Sequence, residues 1–517
     1  MTKREPPKWL MLGVIVLGTF MAILDTSIVN TAIPKMMTVF NVSNDQIEWV
    51  LTAYMLAMGM VIPLTGVLGE KFGLKTMYIF ALTTFTIGSA MCALSWGLPS
   101  MIVARVVQAV GGGMIMPISM TYIYRIVPRK KIGLAMGFWG IAVMAAPAIG
   151  PTLGGYLVET VNWQFIFAIN IPIGIVSVLM SIALLIEFKS DTHVHIDYAG
   201  AITICIGLFT LLLGLNKGNA EGWTSPLIVG LFFVAFISLI SFIFIQLNVE
   251  KPLLDLSVLK HYPFTLSLFI SIITTFALFG GIFMIPIFLQ TLQGYTALQA
   301  GMLMFPPSVA TALVMPISGK LFDKFGAKYL VMVGMIILTV STYLLSSLTL
   351  DSSYFHIMGI LIIRSIGLGA AMMPIQTYGM TTIPTALIGK ASALSNTIRQ
   401  VSGSLGIAIL SSVLTHQRTV HAFFLSQSFN PNAPLVNISS STLFNAGLKA
   451  GLSQESSRGV FSSLVMGHIM KQAFLLGIND TFVVSTIIAA TGVIVTLFIG
   501  KTIILKHGGE VHSIAVE

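Results

Sequence analysis

Long apolar segments alternate with short polar connections along the whole chain. Fourteen apolar runs of about 20 residues can be counted, and most charged residues fall between them. A run of this length spans a bilayer as an α-helix, and these runs lack the residue-by-residue alternation of a membrane barrel. The predicted spans, numbered 1 to 14, are residues 10–33, 48–69, 77–97, 99–123, 133–157, 163–187, 198–216, 224–247, 264–290, 297–319, 328–349, 354–377, 387–414 and 474–504.

Composition gives the same class of protein. The 517 residues are 56% hydrophobic and only 9% charged, whereas soluble domains carry about 25% charged residues. The chain therefore reads as an all-α polytopic membrane protein. Lys3, Arg4 and Lys8 precede the first run as in a secretory signal, but no small-residue cleavage site follows, so we expect this run to stay as a helix. Cys92 and Cys205 both lie within apolar runs, and we expect no disulfide, no metal and no cofactor.

The positive charges orient the chain. With the N-terminus in the cytoplasm, 18 of the 27 Lys and Arg fall on the cytoplasmic side. Short outer loops receive only Lys35 and Lys217, and four basic residues lie in a long outer loop at about 415–473. This asymmetry follows the positive-inside rule and predicts that both termini are cytoplasmic. The net charge of +9 is thus an orientation signal, and we expect no nucleic-acid partner.

A duplicated loop divides the chain into two halves. "GVLGEKFGLKT" begins at Gly66 and "GKLFDKFGAKY" at Gly319, an offset of 253, and "GGMIMPIS" at Gly112 returns as "GAAMMPIQ" at Gly369. Internal repeats are typical of transporters. Because the loop recurs eight spans later instead of six, two helices are inserted between the halves. The predicted domains are a six-helix bundle at 1–190, two inserted membrane helices at 191–255 and a second six-helix bundle at 256–517.

The repeated loop has the residues of a conformational latch. Its glycines allow a tight turn and close helix approach, and its charged residues could bridge helix ends. Alternatively, its lysines only fix the topology. The predicted latch residues are Gly66, Gly69, Glu70, Lys71, Gly73, Lys75, Asp323, Lys324 and Gly326.

Span 5 combines prolines with closely spaced glycines. Pro147 and Pro151 remove backbone hydrogen bonds, which bends a helix. Gly150, Gly154 and Gly155 leave a flat face for a partner helix. We interpret this segment as a hinge and seal between the halves, and a plain packing seam is a compatible alternative.

Two acids fall within spans, Asp25 in span 1 and Asp480 near the start of span 14. A carboxylate inside a bilayer costs roughly 2.5–3.5 kcal/mol on insertion scales, which suggests a function. A proton-coupled carrier needs an internal group that titrates, so Asp25 is the first candidate and Asp480 the second. Asp25 could instead cap a local helix break with Thr26 and Ser27, or form a static ion pair, and Asp480 could simply be wetted by headgroups.

Arg105 is the expected partner of Asp25. At 1.5 Å per residue, Asp25 lies about 25 Å beyond Lys8, and Arg105 about 9 Å inward from the outer side. The two side chains would meet at similar depth if spans 1 and 4 are neighbours. Burial and a nearby arginine act on a carboxyl group in opposite directions, which suits a site that takes and releases protons.

Other polar residues inside the spans predict a central substrate cavity. Arg364 and Arg399 reach roughly mid-membrane, about 14–15 Å from the ends of their spans. Intramembrane arginines are functional candidates, whereas a lone amide is equally suited to holding two helices together. The predicted cavity residues are Asn30, Gln108, Arg364, Gln376, Asn396, Arg399 and Gln400, and Asn170 is a further candidate.

These motifs resemble the major facilitator superfamily. The duplicated loop is similar to its signature G-x-L-a-D-r-x-G-r-k between helices 2 and 3, with Glu70 where Asp is usual. Further stretches resemble the 14-helix drug:proton antiporter branch of the EmrB/QacA type, namely "LDTSIVNTAIP", "WVLTAYMLA", "ARVVQAVGGGMIMP", "GPTLGGYLVETVNWQFIFAINIPIG" and "SALSNTIRQVSGSLGIAIL".

The resemblance implies both fold and function. It implies two six-helix bundles plus two helices, with spans 1 and 4 as neighbours. It also implies alternating access and multidrug efflux coupled to protons across the bacterial plasma (inner) membrane, hence antibiotic resistance. The fifth-helix motif is associated with exporters. The implied partners are amphipathic small molecules, protons and the lipid bilayer, with a periplasmic adaptor if the source has two membranes.

Other functions remain open at this point. A dedicated exporter of one metabolite, lipid or siderophore would use the same fold. A membrane sensor would use the loop 415–473 as its input, and two amphipathic segments there, residues 440–452 and 459–477, could instead cap the exit or dock an accessory protein. The sequence has no phosphate-binding G-x-x-x-x-G-K-[ST] loop, so ATP is not implied. An enzyme is not expected, because the sequence has no metal-ligand cluster and no nucleophile near a histidine.

Overall fold

The structure is a computed structural model that describes residues 7–188, 196–428, 453–500, 502–507 and 510–515. Within these residues, 14 helical segments are long and apolar enough to cross a membrane, which confirms the predicted number. Spans 1 to 14 are Lys8–Thr31, Asn44–Phe72, Leu74–Ala93, Leu98–Ile126, Arg129–Thr160, Phe165–Leu184, Tyr198–Glu221, Pro226–Asn248, Tyr262–Leu292, Leu298–Phe325, Lys328–Ser347, Tyr354–Thr381, Thr385–Gln427 and Ser462–Thr496.

The last two helices are much longer than predicted. They run over Ile388–Ser428 and Gln454–Thr496, so residues 415–428 and 454–473 are helical and the predicted loop 415–473 was wrong at both ends. Hydropathy detects only the most apolar part of a helix, and these extensions mix polar with apolar residues. The predicted segment 459–477 is helical, but as part of the longer helix. Residues 440–452 lie outside the described part of the chain.

A short hairpin follows span 14. β1 (Thr502–His507) pairs antiparallel with β2 (Glu510–Ala515), with Thr502 opposite Ala515. The prediction that span 14 continues to residue 504 was therefore wrong. Short apolar runs fit a strand as well as a helix, which explains the error. The hairpin is a small addition to an otherwise helical fold.

Side-chain caps fix where several spans begin. Asp197 accepts the backbone N–H of Gly200 at 2.8 Å, and Thr296 accepts that of Gln299 at 3.2 Å. Gln299 accepts the N–H of Thr296 in return, at 2.9 Å, which completes a capping box. Such caps satisfy N–H groups that the first helical turn leaves without partners.

Glycines within both copies of the repeated loop end spans 2 and 10. Gly73 has φ 93° and Gly326 has φ 78°, in the left-handed region that side chains disfavour. The chain can therefore turn at once from span 2 into span 3, and from span 10 into span 11. The predicted role of these two glycines in tight turns is confirmed.

Two glycine contacts join the first six spans to the last six at one end of the bundle. Gly66 in span 2 packs against the backbone of Gly389 in span 13, and Gly319 in span 10 packs against Gly133 in span 5. We call the end that carries the repeated loops the inner end and the opposite end the outer end. Since a glycine backbone is touched on both sides of each contact, the two halves are closely apposed at the inner end.

The inserted spans 7 and 8 pack beside the bundle. Span 7 lies along span 2, where Thr52 donates to Asn216 at 3.2 Å, and it also reaches span 13, where Asn219 donates to Ser411 at 2.9 Å. Span 8 is the most apolar span and only 17% of it is buried, so it faces lipid. Span 7 therefore bridges the two halves near the outer end.

Candidate functional site

Asp25 lies at the centre of a buried polar network. Its carboxylate accepts hydrogen bonds from Arg105 Nη1 at 2.6 Å, Gln108 Nε2 at 2.8 Å and Asn170 Nδ2 at 2.9 Å. The Asp25 side chain is 0% exposed and that of Arg105 is 1% exposed. Spans 1 and 4 are thus neighbours, and the two residues meet as the depths along their helices predicted.

Arg105 has further partners besides Asp25. Its Nε donates to the carbonyl of Val50 in span 2 at 3.2 Å, and Nη1 also donates to Gln108 Oε1 at 2.6 Å. Its guanidinium lies 4.0 Å from the ring centroid of Tyr54 and 5.8 Å from that of Phe167. Aromatic rings therefore cover the cation, an arrangement that is favourable where water is excluded.

Close packing between spans 3 and 4 positions Gln108. A methyl group at Gly88 would come within 2.5 Å of the Gln108 backbone, and one at Gly111 would collide with the backbone of Phe85. The next residue along span 3, Ser89, accepts a hydrogen bond from Gln108 Nε2 at 2.7 Å. Small residues thus bring the two helices together and orient the amide toward Asp25.

The network corrects two assignments made from the sequence. Gln108, predicted to line the substrate cavity, is fully buried against Asp25, and Asn170 joins the same network. Helical depth predicted the level of each side chain, but packing sets the rotation of the helix about its axis. Thr26 and Ser27 donate to carbonyls of their own helix, Ile23 and Leu24, so they do not form a helix break with Asp25.

Asp480 lies in a separate and more exposed pair. Its Oδ2 atom is 2.7 Å from His421 Nε2, with side-chain exposures of 37% and 27%. His421 was missed because it falls in the helical extension that had been assigned to the outer loop. Beside this pair, Arg418 lies over the ring of Phe474 at 5.1 Å.

The predicted hinge in span 5 contacts span 1 through two of its glycines. Side chains at Gly150 and Gly154 would collide with Ser27 and Thr31, and Ser27 donates to the Ala146 carbonyl at 3.3 Å. Nothing lies within 4 Å of a side chain placed at Gly155, so the prediction of close packing there was wrong. Gly155 follows Gly154 by one residue and so points about 100° away around the helix.

The two prolines of span 5 lie within its helix, and one of them contacts the second half. Pro147 and Pro151 are both inside the continuous helix Ile132–Thr160, and Pro151 contacts Gly301 of span 10. Span 5 therefore touches span 1 on one side and span 10 on the other.

Asp323 connects the repeated loop to the first turn of span 5. Its two oxygens accept the backbone N–H groups of Gly133 at 3.0 Å and Leu134 at 3.1 Å, where the helix Ile132–Thr160 begins. A carboxylate at this position satisfies otherwise unpaired N–H groups and interacts favourably with the helix dipole. The contact links the two halves at the inner end.

Glu70, the counterpart of Asp323, lies in a different environment. It lines a cavity of about 360 Å³ between spans 2, 4 and 13, together with Gly69 and the basic residues Arg125 and Lys390. The longer side chain of Glu70 thus faces cations. Arg125 and Lys390 were missed from the sequence. The signal available for Lys390 was the repeat, which relates the start of span 13 to the start of span 5.

The lysines of the two loops have different contacts. Lys71 and Lys324 each lie over the ring of the following phenylalanine, at 5.5 and 5.1 Å. Lys75 Nζ donates to the Ile182 carbonyl of span 6 at 2.7 Å, and Lys328 Nζ donates to the Leu497 carbonyl just past span 14 at 3.2 Å. Lysines 75 and 328 therefore bind carbonyls near helix C-termini, as favoured by the helix dipole.

Several predicted cavity residues line the contact between span 4 and the second half. Gln376 and Asn396 approach the sulfur of Met120 at 3.2 and 3.8 Å. Arg399 and Gln400 are half-buried, and Nη1 of Arg399 has no hydrogen-bond partner among the described residues. Asn30 is exposed in the last turn of span 1.

Arg364 is buried between spans 12 and 9. Its Nη2 donates to the carbonyl of Ala277, and its guanidinium lies against Gly281. The side chain thus contacts the backbone of the helix that begins the second half.

Comparison with known proteins identifies the class as a multi-span membrane transporter. The sequence profile of the Major Facilitator Superfamily matches residues 15–407. The uncharacterized MFS-type transporter YhcA of Bacillus subtilis is 35% identical over 95% of this chain and 92% of its own length. The multidrug export protein EmrB of Haemophilus influenzae is 28% identical over 94% of both chains. The proton:xylose symporter XylE superposes with a TM-score of 0.57 at 14% identity, covering 93% of this chain and 94% of XylE.

The chain belongs to the Major Facilitator Superfamily, and its relatives place it in the EmrB/QacA-type branch of that family. The family assignment makes it a transporter and not an enzyme, and it favours transport over the sensor alternative.

Proposed function

We propose that this protein exports amphipathic compounds from a bacterial cell in exchange for protons. The buried network around Asp25 supports the proposal, because it holds one carboxylate inside the bundle between one cation and two amides. The name of the EmrB relative, a multidrug export protein, agrees with export. The proposed location is the plasma membrane, with the inner end and both termini in the cytoplasm.

Protonation of Asp25 changes what Arg105 can bind. The ionised carboxylate accepts three hydrogen bonds, and a proton removes its charge and occupies one of its oxygens. Arg105 then lacks a counter-ion in a water-excluded site, which is strongly unfavourable. Spans 1 and 4 must shift relative to each other until water or another acceptor reaches the guanidinium.

Span 5 transmits such a shift to the second half. Span 1 contacts span 5 at Gly150 and Gly154, and span 5 contacts span 10 at Pro151 and at Gly133. A movement of span 1 therefore displaces span 5 and disturbs the contacts that close the inner end. Each charge that moves through 100 mV supplies about 2.3 kcal/mol, which is enough to drive accumulation of the substrate.

Purified protein in liposomes with an acidic lumen would test the coupling. Three probes share one pyrene group and differ in the head group, which is a carboxylate, an amide or a quaternary ammonium. We expect at least one probe to release lumenal protons through the native protein, as read by an entrapped pH dye. If no probe moves protons above the level of empty liposomes, the proposed function is wrong.

Asp25→Asn is the diagnostic variant and Asp480→Asn its matched control. Asp25→Asn should lose probe-dependent proton release at least tenfold while still exchanging probe for probe at equal pH. Asp480→Asn should retain proton release, because its carboxylate is partly exposed and paired outside the Asp25 network. Full proton release by Asp25→Asn would place the coupling group elsewhere.

A further inference from the structure

The second half of the transporter holds a buried arginine without an acid. Arg105 in span 4 faces Asp25, but no carboxylate pairs with Arg364 in span 12 among the residues that the structure describes. Arg364 is 5% exposed, and its Nε has no hydrogen-bond partner there. Its observed hydrogen bond, from Nη2 to the Ala277 carbonyl, leaves the positive charge without a counter-ion.

A short internal match relates span 1 to span 9. Thr19-Phe20 in span 1 and Thr275-Phe276 in span 9 are related by an offset of 256, between the offsets of 253 and 257 found elsewhere. This register aligns Asp25 with Gly281.

The structure agrees with this alignment. A Cβ placed at Gly281 would lie 2.6 Å from Cζ of Arg364, so the guanidinium already fills the space that a side chain at this position needs. Where the first half has the Asp25 side chain beside Arg105, the second half has the guanidinium of Arg364 packed directly on a glycine.

The charge balance of the interior points to an acidic ligand. The buried charged side chains in the described residues are Asp25, Arg105 and Arg364, and the half-buried Arg399 has an unpaired Nη1 as well. A guanidinium stays protonated at any physiological pH, and an unpaired buried charge is strongly unfavourable. Its fork of N–H groups matches a carboxylate in two-point contact.

We propose that Arg364 binds the acidic group of the transported compound, so that the substrates are amphipathic carboxylic acids or similar anions. The guanidinium moves off Gly281, and the substrate anion replaces its contact with the Ala277 carbonyl. Arg399 lies nearer the inner end, about 16 Å from the start of its helix at Ile388, and offers a second contact for the same anion as it enters. This inference rests on the proposed export function and names its substrate class.

Equilibrium binding of the three pyrene probes to protein in lipid nanodiscs tests the inference. The native protein should bind the carboxylate probe at least tenfold more tightly than the amide probe, with the ammonium probe weakest. Equal binding of the carboxylate and amide probes, or a preference for ammonium, would overturn the proposal.

Two substitutions of equal size at position 281 locate the site. Both side chains push the guanidinium off the glycine. Gly281→Asp also gives Arg364 a carboxylate partner, so the preference for the carboxylate probe should fall to about onefold. Gly281→Asn has the same shape without the charge and should keep most of that preference. If Gly281→Asp keeps the preference, or Gly281→Asn loses it equally, Arg364 is not the partner of the anion.

Substitution of the arginine gives an independent test. Arg364→Gln should abolish the preference and Arg364→Lys should retain part of it, with amide-probe binding in each variant reporting that the fold is intact. Binding is measured without a proton gradient. If the native protein prefers the carboxylate probe but releases no protons, only the proposed proton coupling is wrong. If only the ammonium probe drives proton release, the inference about acidic substrates is wrong and the proposed export function stands.

Discussion

Arg105 Nη1 lies 2.6 Å from Asp25 Oδ2, and neither side chain is reached by solvent. The two residues are 80 positions apart in the sequence, and the pair joins the first span to the fourth. Gln108 and Asn170 bring spans 4 and 6 to the same carboxylate. A single acid thus holds three helices of the first half in register.

Removing one member of the pair should cost more than removing both. Arg105→Gln leaves Asp25 charged and buried, and the expected loss of unfolding free energy is about 3–5 kcal/mol. In the double variant Asp25→Asn/Arg105→Gln no buried charge is left, so its loss should be smaller than that of the single variant. Unfolding in detergent measures the cycle, and simple additivity of the two single losses would contradict a coupled pair.

The glycine contact at the inner end should set the balance between conformations. Gly319→Ala places a methyl group against the Gly133 carbonyl, and such overpacking costs about 1–3 kcal/mol in the closed arrangement. The fraction open at the inner end should rise roughly tenfold, as read from spin labels at Arg129 and Lys320. Gly359→Ala, where nothing lies within 4 Å, is the control and should leave the distance distribution unchanged.

Neighbouring glycines of span 5 should differ in their tolerance of a methyl group. Gly154→Ala meets Ile28 and Thr31 of span 1, so we expect transport to fall at least tenfold. Gly155→Ala points into open space and should change transport less than twofold. Equal sensitivity of the two positions would mean that the contact with span 1 is not what the motif provides.

The Asp323 cap should contribute measurably to the stability of the inner seal. Asp323→Ala frees two N–H groups of the first turn of span 5, and loss of such a cap costs about 1 kcal/mol. Asp323→Asn keeps one acceptor oxygen and should lie between the native protein and the alanine variant. Glu70→Asp serves as the comparison, since Glu70 faces Arg125 and Lys390 in a cavity and caps no such turn. A milder effect of Asp323→Ala than of Glu70→Asp on thermal unfolding would contradict this assignment.

The sequence predicted the features that depend on distance along a helix. The number of spans follows from hydropathy, and the meeting of Asp25 with Arg105 follows from the rise per residue. The tight turns at Gly73 and Gly326 follow from the conformational freedom of glycine.

Two kinds of feature were missed: those that depend on the rotation of a helix about its axis, and those on helical segments that extend beyond the apolar layer. Gln108 faces Asp25 because Gly88 lets span 4 approach span 3, and that contact leaves no local signal in the sequence. The pair of His421 and Asp480 was missed because hydropathy does not report a helix that continues beyond the apolar layer.

Span 7 blocks one lateral route by which lipid could enter between the two halves. It is hydrogen-bonded to span 2 through Asn216 and to span 13 through Asn219, so it stands as a strap across the gap between the two halves. Lipid acyl chains at the outer end cannot enter sideways between spans 2 and 13 while the strap is in place. Each of its neutral hydrogen bonds is worth only about 0.5–1.5 kcal/mol, so little free energy is needed to open the strap. Span 7 thereby limits the access of lipid to the contact region between the two halves.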